Sequence, residues 1–313
     1  MKIAFHGNNA TNFRTGLTQL LHGPHETVDL SDKLDQPDEQ MHFTSADVNI
    51  GTSLSAAEPK PLKVRLYHAP AAGVDAIDVS RLPPGATLCN CFGHEDAIAE
   101  YVFAALLQRH VPIADADRNL RRGEWTYWAG RPGALRTELG GQTMGQLGFG
   151  HIGNAIAARA KAFGKRVVVS NRSMVAASRL LDKSYGLHRL AEFRGASDNV
   201  VVSLPLTEST QGIANAAALK SMRADAVIVN VGRGPVIDEV ALYDALKTRR
   251  IGGAIIDTWY SYPSQAKRTC LPSTLPFHEL TNLIMPPHMS GQISSGQGAS
   301  QQIGLKPQSG RVS

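Results

Sequence analysis

The sequence predicts an α/β protein with a doubly wound parallel sheet, and three observations carry that prediction. Short apolar segments alternate with helical ones along most of the chain. From Met144 onward the apolar segments become continuous runs such as "RVVVS" and "AVIVNVG", which suit strands covered by helices on both faces. One strand-to-helix turn, "LGFGHIGN" from Leu147 to Asn154, contains a Gly-x-Gly-x-x-Gly. At 313 residues the chain is long for one core and fits two domains.

In chain order, "KIAFH", "TVDL", "ADVNI", "VRLYH" and "ATLCN" are strand candidates, separated by polar, Pro-containing connections at 31–40 and 56–61. A long helix is expected over Glu95–His110, with an acidic start and Pro112 just beyond its end. "TMGQLGFG" reads as a strand and "IGNAIAARAKAFG" as a helix whose Ile152, Ile156 and Ala160 share a face. Gly164 stands where a left-handed cap is needed. "RVVVS", "NVVVSLP", "AVIVNVG", "GGAIIDTW" and "LIMPP" continue the sheet. Gln146 is out of place in a central strand, because a buried amide costs free energy unless paired. The Arg121–Arg122 and Arg249–Arg250 pairs suit helix C-terminal turns. The last 23 residues, rich in Gly, Ser and Gln, read as a flexible tail.

Composition narrows the function classes. With 42% hydrophobic and 19% charged residues the chain reads as soluble and globular. The net charge of +5 is spread thinly and no dense Lys/Arg tract appears, so neither nucleic acid nor a membrane surface is an expected partner. No stretch approaches the roughly 20 apolar residues of a membrane span. "MKIAFHGNN" runs straight into a strand rather than a signal peptide. The three cysteines, Cys89, Cys91 and Cys270, form no framework, so a reducing, cytoplasmic location is expected. Cys89 and Cys91 lack a second cluster, and no metal site is expected.

The glycine loop meets the context that makes its motif informative, with a strand before it and a helix after it. Gly148 can make the tight turn, Gly150 can let a pyrophosphate approach the backbone, and Gly153 can let helix and strand pack closely. His151 and Ile152 open the helix, whose free N–H groups and dipole favour phosphate. A dinucleotide is therefore the expected ligand. The next strand ends in Asn171, Arg172 and Ser173, where a NAD site usually has Asp or Glu. Asn does not repel a 2′-phosphate and Arg172 can pair with one, so NADP is favoured, with NAD possible.

Taken together with "APAAGVDAID", "AEYVFAALL", "LRRGEW", "SLPLT", "VNVGRGPVIDEVALYDAL", "GGAIIDTW" and "PPHMSG", the glycine segment resembles the D-isomer-specific 2-hydroxyacid dehydrogenases. The resemblance runs from about Leu66 to Gly291. It implies a Rossmann-type dinucleotide-binding domain inserted in a flavodoxin-like substrate domain. The expected bounds are 1–95 for the first part of the substrate domain, 96–288 for the dinucleotide domain and 289–313 for an atypical return. It also implies hydride transfer between NAD(P) and a small 2-oxo or 2-hydroxy acid, with reduction favoured, in a homodimer. By position, Arg233 matches the substrate-binding arginine and His288 the general acid/base. Ala72 and Gly73 match the loop whose N–H groups grip the substrate carboxylate. Asp257 matches the residue that orients the nicotinamide carboxamide, and Pro205, Val231 and Gly232 line the cofactor cleft. His94, Glu95 and Tyr101 read as helix start and core contacts, with cleft lining as the alternative.

The chain departs from the family pattern twice. "DTWYSYP" puts Tyr262 where the family usually has a Glu beside the catalytic His, and formate dehydrogenases have Gln there. A neutral Tyr supplies a hydrogen bond but no charge. The tail from Gly291 also has the wrong composition for the helix that follows in relatives. A cofactor-sensing binding protein, like the family's corepressors, and a catalytically impaired member are the competing expectations.

Overall fold

A computed structural model describes residues 1–133, 135–263 and 267–292. The described residues divide into two compact units, Met1–His94 and Glu95–Gln292. Beyond Gln292 the expected tail lies outside the described residues.

In the first unit β1 (Lys2–His6) runs into two short helices, α1 (Gly7–Thr11) and α2 (Arg14–Thr18), before β2 (Glu26–Leu30). There follow α3 (Pro37–Ser45), β3 (Val48–Ile50), β4 (Leu66–His68) and β5 (Thr87–Cys89). The five strands pair in parallel in the order β2-β1-β3-β4-β5. That is the doubly wound order in which the chain reverses direction across the sheet at β1. One face buries Ala4, Leu30 and Tyr67 against Phe43, and the other buries Ile3, Phe5 and Ile50 against Leu17. The alternation along β1 follows from the period of two in a strand.

The second unit opens with α4 (Glu95–His110), which has the bounds expected from sequence. Helix α5 (Ile113–Leu120) follows, with Arg121 at its C-cap. Then come β6 (Thr143–Leu147), α6 (His151–Ala162), β7 (Arg166–Ser170), β8 (Lys183–Tyr185), α7 (Leu190–Gly195) and β9 (Asn199–Val202). The unit finishes with α8 (Ala216–Lys220), β10 (Val227–Asn230), α9 (Glu239–Lys247), β11 (Gly253–Ile256) and β12 (Leu283–Ile284). Its seven-stranded sheet has the order β12-β11-β10-β9-β6-β7-β8, and every pair is parallel. The apolar runs are explained by cover on both faces. Val168, Val200, Ile228 and Ala254 enter one core, while Val167, Val169, Val201, Val229 and Ile255 enter the other.

Three local results differ from simple expectation. Strand β8 was not foreseen, because three residues at a sheet edge are too few to display a period. Gln146 is fully buried and its amide finds no hydrogen-bond partner among the described residues, so its desolvation cost is not offset there. Met289–Gln292 belong to the second unit rather than to a separate return segment, since Met289 and Ser290 bond to Asp257.

Lys165, before β7, is almost completely buried and donates to Leu139 O, Gln142 Oε1 and Asn199 Oδ1. Burial pushes its ammonium down to about 8, with Asp198 opposing the shift. Lys165→Met strands three acceptors and is expected to cost on the order of 2–3 kcal/mol at pH 7, read from urea unfolding. The depressed value also fixes a sign. Between about 8 and the ordinary 10.5 the unfolded chain binds the extra proton, so native stability rises with pH. The gap between the two proteins should therefore widen over that window; a constant gap would mean that Lys165 does not titrate there.

Candidate active site

The sequence-predicted residues of the second unit gather beyond the carboxyl ends of its parallel strands, where open α/β sheets place their ligands. Gly148 follows β6 with φ +96°, a conformation that strains any residue with a Cβ. A Cβ on Gly153 would lie 2.8 Å from Gly148 O, so this crossing of turn and helix requires glycine. Above Gly150 there is open space, and no side chain caps the N-terminus of α6. Uncapped N–H groups beside an accessible backbone fit a dinucleotide pyrophosphate. His151 stands at that helix start with its Nδ1 3.9 Å from Glu95 Oε1. Ile152 packs against the core.

After β7, Asn171 Nδ2 reaches Ser173 O at 3.4 Å. Arg172 between them is exposed and makes no hydrogen bond or ion pair among the described residues. After β9, Pro205 O accepts the Thr210 hydroxyl at 2.6 Å. Val231 is buried and bonded through its N–H to Val202 O.

Arg233 is held from both sides by Asn230, a buried residue at the end of β10. Asn230 Nδ2 donates to Arg233 O at 3.0 Å, and its Oδ1 accepts the Gly232 N–H at 3.1 Å. The Arg233 guanidinium donates to Gly232 O at 3.0 Å. The loop also packs closely on the segment after β11, because a Cβ on Gly234 would sit 2.2 Å from Trp259 O.

His288 follows β12 with φ +56°, one of three described non-glycine residues with a positive φ. Such a backbone costs on the order of 1–3 kcal/mol and persists only where its surroundings enforce it. Two sets of contacts do so. Tyr262 Oη lies 3.0 Å from His288 Nδ1, and the same oxygen accepts the Trp259 N–H at 3.0 Å. Trp259 Nε1 donates to Pro286 O at 2.8 Å, tying the chain after β11 to the approach to His288. On the other side, Asp257 accepts from Met289 N–H at 2.9 Å, Ser290 N–H at 3.2 Å and the Ser290 hydroxyl at 2.6 Å. Partial desolvation pushes the His288 imidazole below its ordinary value; Asp257 opposes the shift and Arg233 adds to it.

Asp257, to which the resemblance gives the nicotinamide role, stands at the end of β11. The residue is fully buried and its carboxylate bonds go to the segment after His288. In the first unit, the Ala72–Gly73 loop after β4 is fixed by Asn90 Nδ2 donating to Ala72 O at 2.8 Å. Tyr101 packs against the second core of this unit, with its hydroxyl buried and without a partner among the described residues. Sequence reasoning missed Asn230, Trp259 and Ser290. Their nearness in sequence to Arg233, Tyr262 and His288 was the available signal, but their bonds are tertiary.

The chain is similar to known proteins. The profile of the D-isomer specific 2-hydroxyacid dehydrogenase, NAD binding domain, matches residues 103–290. A glyoxylate reductase from Aeropyrum pernix is 34% identical over 240 residues, covering 72% of this chain and 67% of that enzyme. This chain spans about two thirds of the length of the first glyoxylate reductases it matches. A D-isomer specific 2-hydroxyacid dehydrogenase family protein from Aeromonas salmonicida superposes with a TM-score of 0.76 at 26% identity, covering 96% and 92% of the two chains. An acyclic imino acid reductase, solved with NADPH and D-Arg, gives 0.75 at 25% identity over 97% and 95%. With its Rossmann-type unit, its glycine turn and these matches, the chain belongs to the D-isomer specific 2-hydroxyacid dehydrogenase family of NAD(P)-dependent oxidoreductases.

Proposed function

We propose that this protein reduces a small 2-oxo acid, of the glyoxylate or hydroxypyruvate class, to the D-2-hydroxy acid, with NADP preferred over NAD. The observation that carries the reading is the Tyr262–His288 hydrogen bond beside the Arg233 loop. Gly148, Gly150, His151, Ile152 and Gly153 would hold the dinucleotide, with Pro205, Val231 and Gly232 along it. When bound, it supplies the hydride.

Arg233 presents a guanidinium fork that can hold the substrate carboxylate and polarise its carbonyl. His288 donates a proton from Nε2 to the carbonyl oxygen. Tyr262 serves both charge states of the ring. As imidazolium, His288 donates an Nδ1–H hydrogen bond to Tyr262 Oη, which also accepts from Trp259 N–H, within the two acceptor sites of a hydroxyl. Once Nε2 has given up its proton, that Nδ1 bond is unchanged. Nε2 is then bare and able to act as base in the reverse direction.

Arg172, exposed and without a partner among the described residues, is suited to a 2′-phosphate. A charge-assisted pair of this kind contributes about 1.5–3 kcal/mol. Arg172→Ala should weaken NADPH binding by roughly tenfold to a hundredfold and spare NADH, as fluorescence titration would measure. Equal losses for both cofactors would remove the assignment.

A homodimer is part of the reading. Helix α5 and the chain after it expose Ile113, Leu120, Trp125, Trp128 and Leu135, apolar side chains that a second copy could cover. Light scattering of the purified chain tests it. A cytoplasmic location fits the three free cysteines and the lack, among the described residues, of a helix able to cross a membrane.

A second reading has one observation in its favour. Tyr262 gives His288 no anionic partner, and a protonated 2-imino acid accepts hydride without needing a proton. NADPH oxidation against a panel of 2-oxo acids, with and without ammonium, separates the two by product. A cofactor-dependent change in oligomer size with no turnover would point instead to a binding protein.

A further inference from the structure

A fully buried carboxylate enclosed by the chain that follows His288 raises the question of what it does there. Asp257 leaves β11 with its N–H on Asn230 O and its side chain turned to the chain that follows His288. The left-handed turn at His288 aims two successive N–H groups, of Met289 and Ser290, at that carboxylate. Successive N–H groups converging around a left-handed residue form a nest for an anion. Here the anion is a side chain of the same protein, and the Ser290 hydroxyl completes the enclosure at 2.6 Å. The strained φ of His288 is thus the conformation that makes the nest.

We propose that Asp257 is the positioning residue of His288. Seated in the nest of Met289 and Ser290, its carboxylate fixes the histidine's backbone and supplies the imidazolium with the negative charge that Tyr262 lacks. This rests on the 2-oxo-acid reading above. The charged groups acting on the ring are Asp257 from the end of β11 and Arg233 from the end of β10, with neutral Tyr262 on Nδ1. They oppose each other: Asp257 favours the charged ring and Arg233 disfavours it. Ser290, only 6% exposed, shields the carboxylate from water and keeps that opposition effective.

The test uses the full chain labelled with 15N-histidine, with the His288 signals assigned from His288→Gln. Asp257→Asn keeps the shape and removes the charge. The His288 midpoint should fall by about one pH unit or more. The descending limb of kcat/KM for reduction of the best oxo acid should fall with it. Ser290→Ala keeps the charge and loosens the nest, so kcat should drop severalfold with the midpoint nearly fixed, and Ser290→Thr should recover it. An unmoved His288 midpoint in folded Asp257→Asn overturns the proposal. So does a large loss of NADPH affinity with the midpoint unmoved, which would return Asp257 to the nicotinamide. If Asp257→Asn does not fold, the serine pair decides: a Ser290→Ala protein with unaltered kcat overturns the positioning role. Should the unmodified protein reduce no oxo acid, the functional reading fails, while the histidine titration still decides this one.

Discussion

His288→Gln is expected to lower kcat/KM for 2-oxo-acid reduction by about 10²–10⁴-fold, the usual contribution of a positioned general acid. NADPH affinity should change little, because the glycine turn, the start of α6 and Arg172 lie on other strands' ends. Glutamine retains polarity without a transferable proton, so the loss falls on the chemical step and kcat should drop more than KM rises. Arg233→Gln is expected to differ in kind. It removes the group proposed to hold the carboxylate and to stabilise the developing oxyanion, so KM should rise as kcat falls. Steady-state kinetics on one oxo acid and fluorescence titration of NADPH provide both measurements. A His288→Gln enzyme within about threefold of the unmodified protein would place the proton donor elsewhere. If it lost oxo-acid reduction but still reduced the acid in the presence of ammonium, the imino-acid reading would gain.

Tyr262→Glu is expected to extend reduction to higher pH. Partial desolvation and Arg233 together hold the His288 imidazole below the ordinary 6.5. Reduction needs the charged ring, so it should fall as pH rises through that lowered value, and oxidation should be favoured above it. A carboxylate within 4–6 Å typically moves a neighbouring cation's titration upward by about 1–3 units. Above the original limb, that shift corresponds to a gain of about ten- to a thousandfold in kcat/KM. Tyr262→Phe is the counter-experiment. It leaves the limb low but strips a partner from both His288 Nδ1 and Trp259 N–H, so kcat should fall through misorientation of the ring. If the limb of Tyr262→Glu coincides with that of the unmodified protein, the group at position 262 does not set the charge of His288.

The sequence by itself determined the α/β class, because strands buried on both faces must be apolar throughout, and those of the second unit are. It determined α4 to the residue, since charge at its start and a proline beyond its end are local signals. It also determined the glycine turn, where Gly148 takes a positive φ and Gly153 lies against the Gly148 carbonyl. Tyr262 in place of an acid was legible only through the resemblance to the family.

What only the tertiary structure decided lies in contacts between segments remote in sequence. Asp257 and Ser290 are 33 residues apart, and no pattern in the chain announces that one carboxylate will be enclosed by the other's backbone. Asn230 looked like a strand end, yet its amide holds the Arg233 loop on both sides. Gln146 read as an oddity in a central strand, and whether its amide is paired depends on what α4 and α6 bring to that face; among the described residues it is not. The left-handed backbone of His288 had no sequence signal either, since glycine or asparagine would be the ordinary choice there. Local periodicity and sterics fix elements and turns, whereas the orientation of a polar side chain depends on hydrogen bonds that exist only after the sheet has assembled.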